Sequence, residues 1–398
     1  MNRGLGGFSP FRRMKNAIAA VFIGILMIPG SVILLGWNEW HSVNVIKSLN
    51  ETLKRVTPNV DVTAQGDHEG ELIHFATDAK TDEVLSDDQF KIAENAIKLR
   101  RRVETYQWIE DKDEDDDGHV TYSYSKEWSE AYTDSSSFAE SGYKNVPPRL
   151  KSEHWRAKKV AVGVYELSDS LVSEIENYQP VEKTQQMVAQ FGPPLKGKCV
   201  VDGEYFYFPI KNASSSNPDI GDQRIQVDII RPQEYSFISQ VSGKSFRPFV
   251  ARNGFKVELV EPGNWTVEEM IRQAKAENAT LTWILRLVGF VVCFIGICLV
   301  FGPITTILDY IPLVGQLAKG GIMIVAFLIS VVIAMFTIAI SWIAVRPMVG
   351  IPLLLVGVAS IVGLVFFLNK NRQNSSLPPA KPLPGQGGNF DDDQVDVM

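Results

Sequence analysis

The chain has 398 residues, 45% of them apolar, and a formal net charge of −7 at pH 7. The acid excess is concentrated in residues 38–286, at a net of −11, which disfavours nucleic acid or anionic headgroups as partners for the surface of that region as a whole. The cysteines Cys199, Cys293 and Cys298 are too few for a disulfide-stapled scaffold, so a hydrophobic core must hold the fold.

The apolar residues are concentrated in blocks. Residues 1–16 carry Arg3, Arg12, Arg13 and Lys15 and no acid, and residues 17–37 then carry no charge at all. This run is too long for the apolar region of a secretion signal, and Trp37-Asn38-Glu39-Trp40 is a poor cleavage site, so the segment is read as retained. Residues 287–308, 320–345 and 347–369 are also uncharged, the last two separated by Arg346. Roughly 20 apolar residues at a helical rise of ~1.5 Å cross a hydrocarbon layer of ~30 Å, so the sequence predicts four membrane spans. Basic flanks stay on the cytoplasmic side. The N-terminal tail 1–16, the loop 309–319 and the tail 370–398 are therefore assigned to the cytoplasm, and residues 38–286 to an extracytoplasmic, periplasmic or luminal, domain. Trp37, Trp40, Trp283 and Trp342 all fall at the outer ends of spans, where indole rings favour the headgroup layer. Pro29, Pro303 and Pro352 mark kinks, and Ala20/Gly24, Cys298/Gly302 and Ala359/Gly363 have the spacing for close helix contact. No ionisable residue lies at mid-membrane depth, where ion paths and proton relays need one. Ser330, Thr337 and Ser341 offer the obvious polar route for an oligomeric pore.

The domain at 38–286 holds 30 basic and 41 acidic residues, a net of −11, and its patterns read as α+β. Ser86-Asp87-Asp88 supplies helix-capping chemistry ahead of Phe90, Ala93, Ile97 and Val103, which predicts a helix over 86–102. Residues 103–110 and 121–128 alternate as strands around Asp117-Gly118, a long β-hairpin across 103–128. Further strands are expected at 203–210, 224–231 and 255–261, short helices within 168–188, a turn at Gly66–Gly70, and a helix at 266–285 that runs into the second span.

Candidate chemistry is sparse. Asp113-Glu114-Asp115-Asp116-Asp117-Gly118 fits the opening of a calcium loop, but its twelfth position is Tyr124 where a bidentate Glu belongs, so it reads as a solvated hairpin tip. His41, His68, His74, His119 and His154 show no paired ligand spacing, and there is no nucleophile elbow, Walker loop or dinucleotide fingerprint. Asn50, Asn212, Asn264 and Asn278 sit in N-x-S/T sequons. Tyr106, Trp108, Tyr122, Tyr124 and Trp128 read as cross-strand pairs and not as a ligand cage. Asn38-Glu39 reads as a cap or a brace where the chain leaves the bilayer, and not as a binding site. No catalytic, cofactor-binding or metal residue is assigned. Residues 371–398 have the composition of a disordered tail, with Pro379–Pro382 a plain spacer.

Ten stretches then resemble one family in order along nearly the whole chain: NEWHSVNVIKSL (38–49), ETYQWIE (104–110), YSYSKEW (122–128), DSSSF (134–138), GYKN (142–145), GDQRIQV (221–227), NWTVEEM (264–270), WILR (283–286), DYIP (309–312) and SWIAVRP (341–347). They are similar to the LUMA, or transmembrane protein 43, family, whose plan is also one span, a large domain and three spans. The resemblance implies a non-enzymatic organiser of membrane protein complexes that self-associates through its membrane part, without cofactors. For animal members it implies the endoplasmic reticulum and inner nuclear membrane, with lamins and emerin as partners; a bacterial member would place the domain in the periplasm. A channel or transporter component is the alternative. The acidic, Pro-rich tail departs from the animal pattern, so partners of that end do not carry over.

Overall fold

The computed structural model describes residues 10–64, 66–114, 120–191, 195, 198–211, 214–308 and 314–345, with isolated positions between 351 and 362. The chain divides into two compact units, residues 1–338 and 339–398. In chain order the elements are α1 (Pro10–Arg55), β1 (Leu72–Lys80), β2 (Val84–Asp87), β3 (Ile92–Asn95), β4 (Lys98–Glu114) and β5 (Val120–Ser129). There follow β6 (Glu153–Arg156), β7 (Ala161–Val162), β8 (Tyr165–Glu166), α2 (Asp169–Glu174), β9 (Gln179–Pro180) and α3 (Gln185–Gln190). The second half holds β10 (Val200–Asp202), β11 (Tyr205–Phe208), β12 (Gln223–Ile230), β13 (Gln233–Ser242) and β14 (Ser245–Arg247). It closes with β15 (Phe249–Val250), β16 (Lys256–Val257), β17 (Leu259–Pro262), α4 (Val267–Leu308) and α5 (Val314–Val345).

Two antiparallel sheets make the domain. One has the order β14-β13-β1-β7-β8 with β17 also on β13; the other has β10-β11-β12-β4-β5 with β6 on β4 and β9 on β12. Each has its own apolar core, the first around Ile73, Phe75, Leu171, Phe237 and Phe246, the second around Phe90, Leu99, Phe191, Phe206 and Val227. A third cluster joins Leu49 of α1 and Val267, Met270 and Ile271 of α4 to Leu72, Ile238, Phe249 and Val257. The two helices are thus part of the domain's own packing, not tethers to it.

The hairpin forms as the alternation predicts, and runs longer: Thr105 pairs with Ser129 and Glu114 with Val120. Its Asp117-Gly118 tip and most of the acidic loop lie outside the described residues. Short helices form at Asp169–Glu174 and, running two residues past the expected 168–188, at Gln185–Gln190, and α4 carries the helix at 266–285 without a break into the second span.

The helix expected over 86–102 does not form; the segment makes β2, β3 and the start of β4. The capping chemistry is present but serves a turn. Asp87 Oδ1 accepts from the Gln89 and Phe90 amides, which closes the β2–β3 hairpin with Lys91 in the left-handed region at φ 51°. Arg101 occupies an inward position of β4 between Leu99 and Val103, and it hides the strand alternation from a reading by polarity.

Three helices are long and apolar enough to cross a membrane: Ala17–Arg55, Val267–Leu308 and Gly320–Ile343. The fourth expected span, 347–369, falls almost wholly outside the described residues, as do the DYIP loop and the tail from 370. Helix α1 continues through Pro29 and α4 through Pro303. Of the small-residue pairs, Gly24 does bring helices together, but its partner is Gly296. A Cβ on Gly24 would lie 2.5 Å from the Gly296 carbonyl oxygen, whereas one on Gly302 would meet nothing within 4 Å. The second contact is Gly289 against Leu35, so the close approaches on α4 fall at a seven-residue spacing and not at the expected four-residue one. Ala326 and Ser330 of α5 are completely buried, and Ala326 joins a cluster with Cys293 and Ile297 of α4. Gly24→Val is accordingly expected to lower stability by about 1–3 kcal/mol through overpacking, and Gly302→Val to leave it unchanged. Thermal unfolding in mild detergent checks this, and equal effects at both positions would contradict the α1–α4 contact.

Candidate functional site

The most concentrated chemistry in the described residues lies where α1 and α4 leave the apolar layer. Glu39 follows the first uncharged run by two residues and Arg286 immediately precedes the second. Arg286 Nε donates to Glu39 Oε1 at 2.6 Å and Nη2 to Oε2 at 2.9 Å, a bidentate pair in which Glu39 is 2% exposed. The Arg286 guanidinium also lies 4.5 Å from the Trp283 ring centroid. One side-chain layer beyond, Asn38 Nδ2 donates to the Thr282 carbonyl at 3.0 Å. Thr282 Oγ1 lies 2.8 Å from Ser42 Oγ, and Asn278 Nδ2 reaches the same Ser42 oxygen at 3.1 Å. Both helices therefore carry polar residues four apart, 38 and 42 on α1 and 278, 282 and 286 on α4, which puts each set on one face. Asn38-Glu39 is the brace that the sequence suggests. Ser42, Thr282 and Arg286 complete it; the four-residue polar period marks one face on each segment, but the pairing of the two faces has no signal in the sequence. Asn278, read as a sequon, is buried in this network.

Farther from the membrane boundary a second tie joins α4 to the first sheet. His74 on β1 is 1% exposed; its Nδ1 accepts the Asn59 amide at 3.3 Å, so Nε2–H donates to the Trp265 carbonyl at 2.9 Å. Trp265 precedes α4, whose start is capped reciprocally by Thr266 and Glu269. Burial depresses the His74 pKa, against the Trp265 bond and Glu268, which raise it. A folded-state value below 6.5 means that the neutral ring contributes stability above about pH 6.5 and that this is lost as pH falls through the depressed value. The stability difference between the parent and His74→Asn is thus expected to shrink as pH falls below about 6.5. Unfolding curves across that range check it, and a constant difference would contradict a neutral buried His74.

The hairpin aromatics form a structural layer. Tyr106 pairs across the strands with Trp128 at a centroid distance of 5.1 Å. Tyr124 stacks on Tyr143 at 3.7 Å, and Tyr143 meets Trp108 edge-on. The resembling stretches DSSSF and GYKN supply the cover. Asp134 caps the turn at Ser135–Ser137, while Asn145 accepts the Trp108 amide and donates to the Trp108 and Thr133 carbonyls. Tyr124, the twelfth position of the calcium-like loop, donates to Glu110 at 2.6 Å. Loss of solvent and that bond push its phenol up to about 12. In GDQRIQV, buried Asp222 accepts from Tyr207 and from the Ile210 and Asp219 amides, and buried Gln223 accepts from the Arg149 and Leu150 amides. These stretches are accounted for as architecture. Among the described residues no group of three His, Cys, Asp or Glu side chains is disposed to hold a metal; His119 lies outside them. An open cleft of about 350 Å³ is rimmed by Glu174, Glu176, Glu258, Glu261 and Glu277, and its lining holds no lysine, arginine, histidine, serine or cysteine.

The profile of the family described as Transmembrane protein 43 matches residues 105–347, from the hairpin through α5. The chain belongs to this family. Transmembrane protein 43 of Homo sapiens is 27% identical over 374 residues, covering 89% of this chain and 90% of its own length. The Rattus norvegicus protein is 27% identical over 357 residues, with coverages of 84% and 87%, and the Drosophila melanogaster homolog 28% over 365 residues, with 86% and 93%. No solved structure matches. The family assignment and the three apolar helices make this a multi-pass integral membrane protein with a sheet-rich domain between its first two spans.

Proposed function

We propose that this transmembrane protein 43 family member is a non-enzymatic membrane scaffold, with a fourth span at 347–369, an extracytoplasmic domain and self-association through its membrane helices. The observation that carries the reading is the continuity of α1 and α4, which pass from the apolar layer into the domain core and are locked together at the boundary by Glu39–Arg286 and the Ser42–Asn278–Thr282 network. A rigid link of this kind suits a protein whose domain and bundle present fixed surfaces to other membrane proteins or to further copies. The domain's net charge of −11 disfavours close approach of its copies, so association falls to the spans. A conducting role has weaker support: Ser330, the first residue of the polar route considered for it, is completely buried and its hydroxyl donates to the Ala326 carbonyl. The test is the mass of the full chain in lipid discs with room for several copies. More than one copy per disc is expected; a strictly monomeric chain removes self-association, and selective currents in planar bilayers would favour the channel alternative.

A further inference from the structure

We propose that the hairpin β15–β16 is a lipid-contacting finger that rests its tip in the headgroup layer of the membrane that α1 and α4 enter. Its base is fixed: Phe249, Ala251 and Val257 are buried in the cluster that includes Leu49 of α1 and Val267 of α4. From there it descends along α1 toward the apolar segment. Arg252 is level with Glu51, to which its amide donates at 2.9 Å; Asn253 Nδ2 donates to the Asn44 carbonyl at 2.8 Å; and Phe255 packs on Trp40 and His41 at 5.6 and 5.3 Å. The contacts thus run from residue 51 to residue 40, about 16 Å at 1.5 Å per residue, and they end at the boundary of the first span. Gly254, at φ +81°, makes the turn at the tip, and its amide donates to the Ala251 carbonyl at 2.8 Å.

At that level the surface has the chemistry of an interfacial belt. Trp37, Trp40 and Trp283 are 47%, 49% and 67% exposed, and Trp37 stacks on His41 at 5.0 Å. Phe255 extends this aromatic shelf from the helices onto the domain. In a domain of net charge −11, residues 249–257 contain Arg252 and Lys256 and no acid, and Arg252 is 82% exposed even with Glu51 beside it. Aromatic rings at the boundary with cations alongside match a layer of lipid phosphates and upper acyl chains. The surface is continuous with the face that the spans already present to lipid, which identifies the occupant as the bilayer itself.

The test uses full-length protein with Cys199, Cys293 and Cys298 replaced by Ala, in discs of phosphatidylcholine. A spin label is placed at Lys256→Cys, which is exposed beside the tip and outside the ring cluster, and at exposed Glu204→Cys on the turn between β10 and β11 of the other sheet. Oxygen partitions into lipid and a nickel chelate stays in water, so a lipid-contacting label shows a raised oxygen-to-nickel accessibility ratio, whereas burial in protein lowers both. A ratio at 256 several-fold above that at 204 is the expected result. Equal ratios at the two positions overturn the proposal. A label at Phe255→Cys then reports depth, with a value close to that of a label at Trp40→Cys expected and a purely aqueous value counting against the finger.

Discussion

Arg286→Leu is expected to destabilise the protein by about 3–5 kcal/mol, because it leaves the Glu39 carboxylate, 2% exposed, buried without its bidentate partner. Glu39→Leu should be severe for the same reason, with the guanidinium of Arg286 then lacking its carboxylate. The double variant Glu39→Leu/Arg286→Leu should recover most of the loss, since a buried ion pair is often no more stabilising than an apolar pair of similar size. A double-mutant cycle on unfolding in lipid or mild detergent therefore gives a large coupling between residues 247 apart in sequence. Additive single effects would mean that the two side chains act through other neighbours and that the boundary clasp is not a unit.

The second large effect is expected inside the domain. Arg101 and Asp87 are each 1% exposed; Nη1 lies 2.5 Å from Oδ2, and the guanidinium sits between the Phe90 and Trp155 rings at 5.0 and 5.6 Å. Burial pushes the Asp87 carboxyl up from 3.8 even against the pull of Arg101. Arg101→Met removes that pull and should lower stability at neutral pH by about 3–5 kcal/mol. The sign of the pH dependence follows from the raised value. A carboxyl that binds its proton more tightly when folded favours the fold below its unfolded pKa and loses that contribution as pH rises through the folded value. The deficit of Arg101→Met relative to the parent should therefore narrow as pH falls toward about 4. Chemical denaturation at several pH values measures it, and a deficit that widens in acid would contradict a stranded Asp87 carboxylate.

The parts of the fold legible in the sequence are those where one physical effect dominates. Uncharged runs of span length appear as α1, α4 and α5, and the alternation of Tyr122, Tyr124 and Trp128 appears as β5. Strands whose two faces are both buried are silent: Leu72–Phe75 of β1 and Tyr235–Val241 of β13, the latter with Ser236 and Ser239 bonded inward to the Gly263 and Arg247 carbonyls, show no contrast between faces. The segment 86–102 fails for a sharper reason. Asp87 offers the same amide-accepting chemistry to a helix start and to a turn, and Arg101 at an inward position makes the strand period look broken. At the membrane boundary the brace at Asn38-Glu39 is legible from its place after an apolar run. Its partner Arg286 is not, because pairing across a whole domain leaves no local trace. The continuation of α1 to Arg55 escapes notice because the residues after 37 are mixed in polarity, one side facing α4 and the domain and the other facing water.

Two uninterrupted helices join the membrane spans and the domain into one mechanical unit. Amide hydrogen exchange on the full chain in lipid discs tests it most directly. Residues 38–55 and 267–286 should exchange as slowly as the β1 and β13 core strands and should be released together in Arg286→Leu. Rapid exchange of 38–55 in the parent, at the rate of exposed loops, would show that α1 ends at the bilayer and that the domain is only tethered to it.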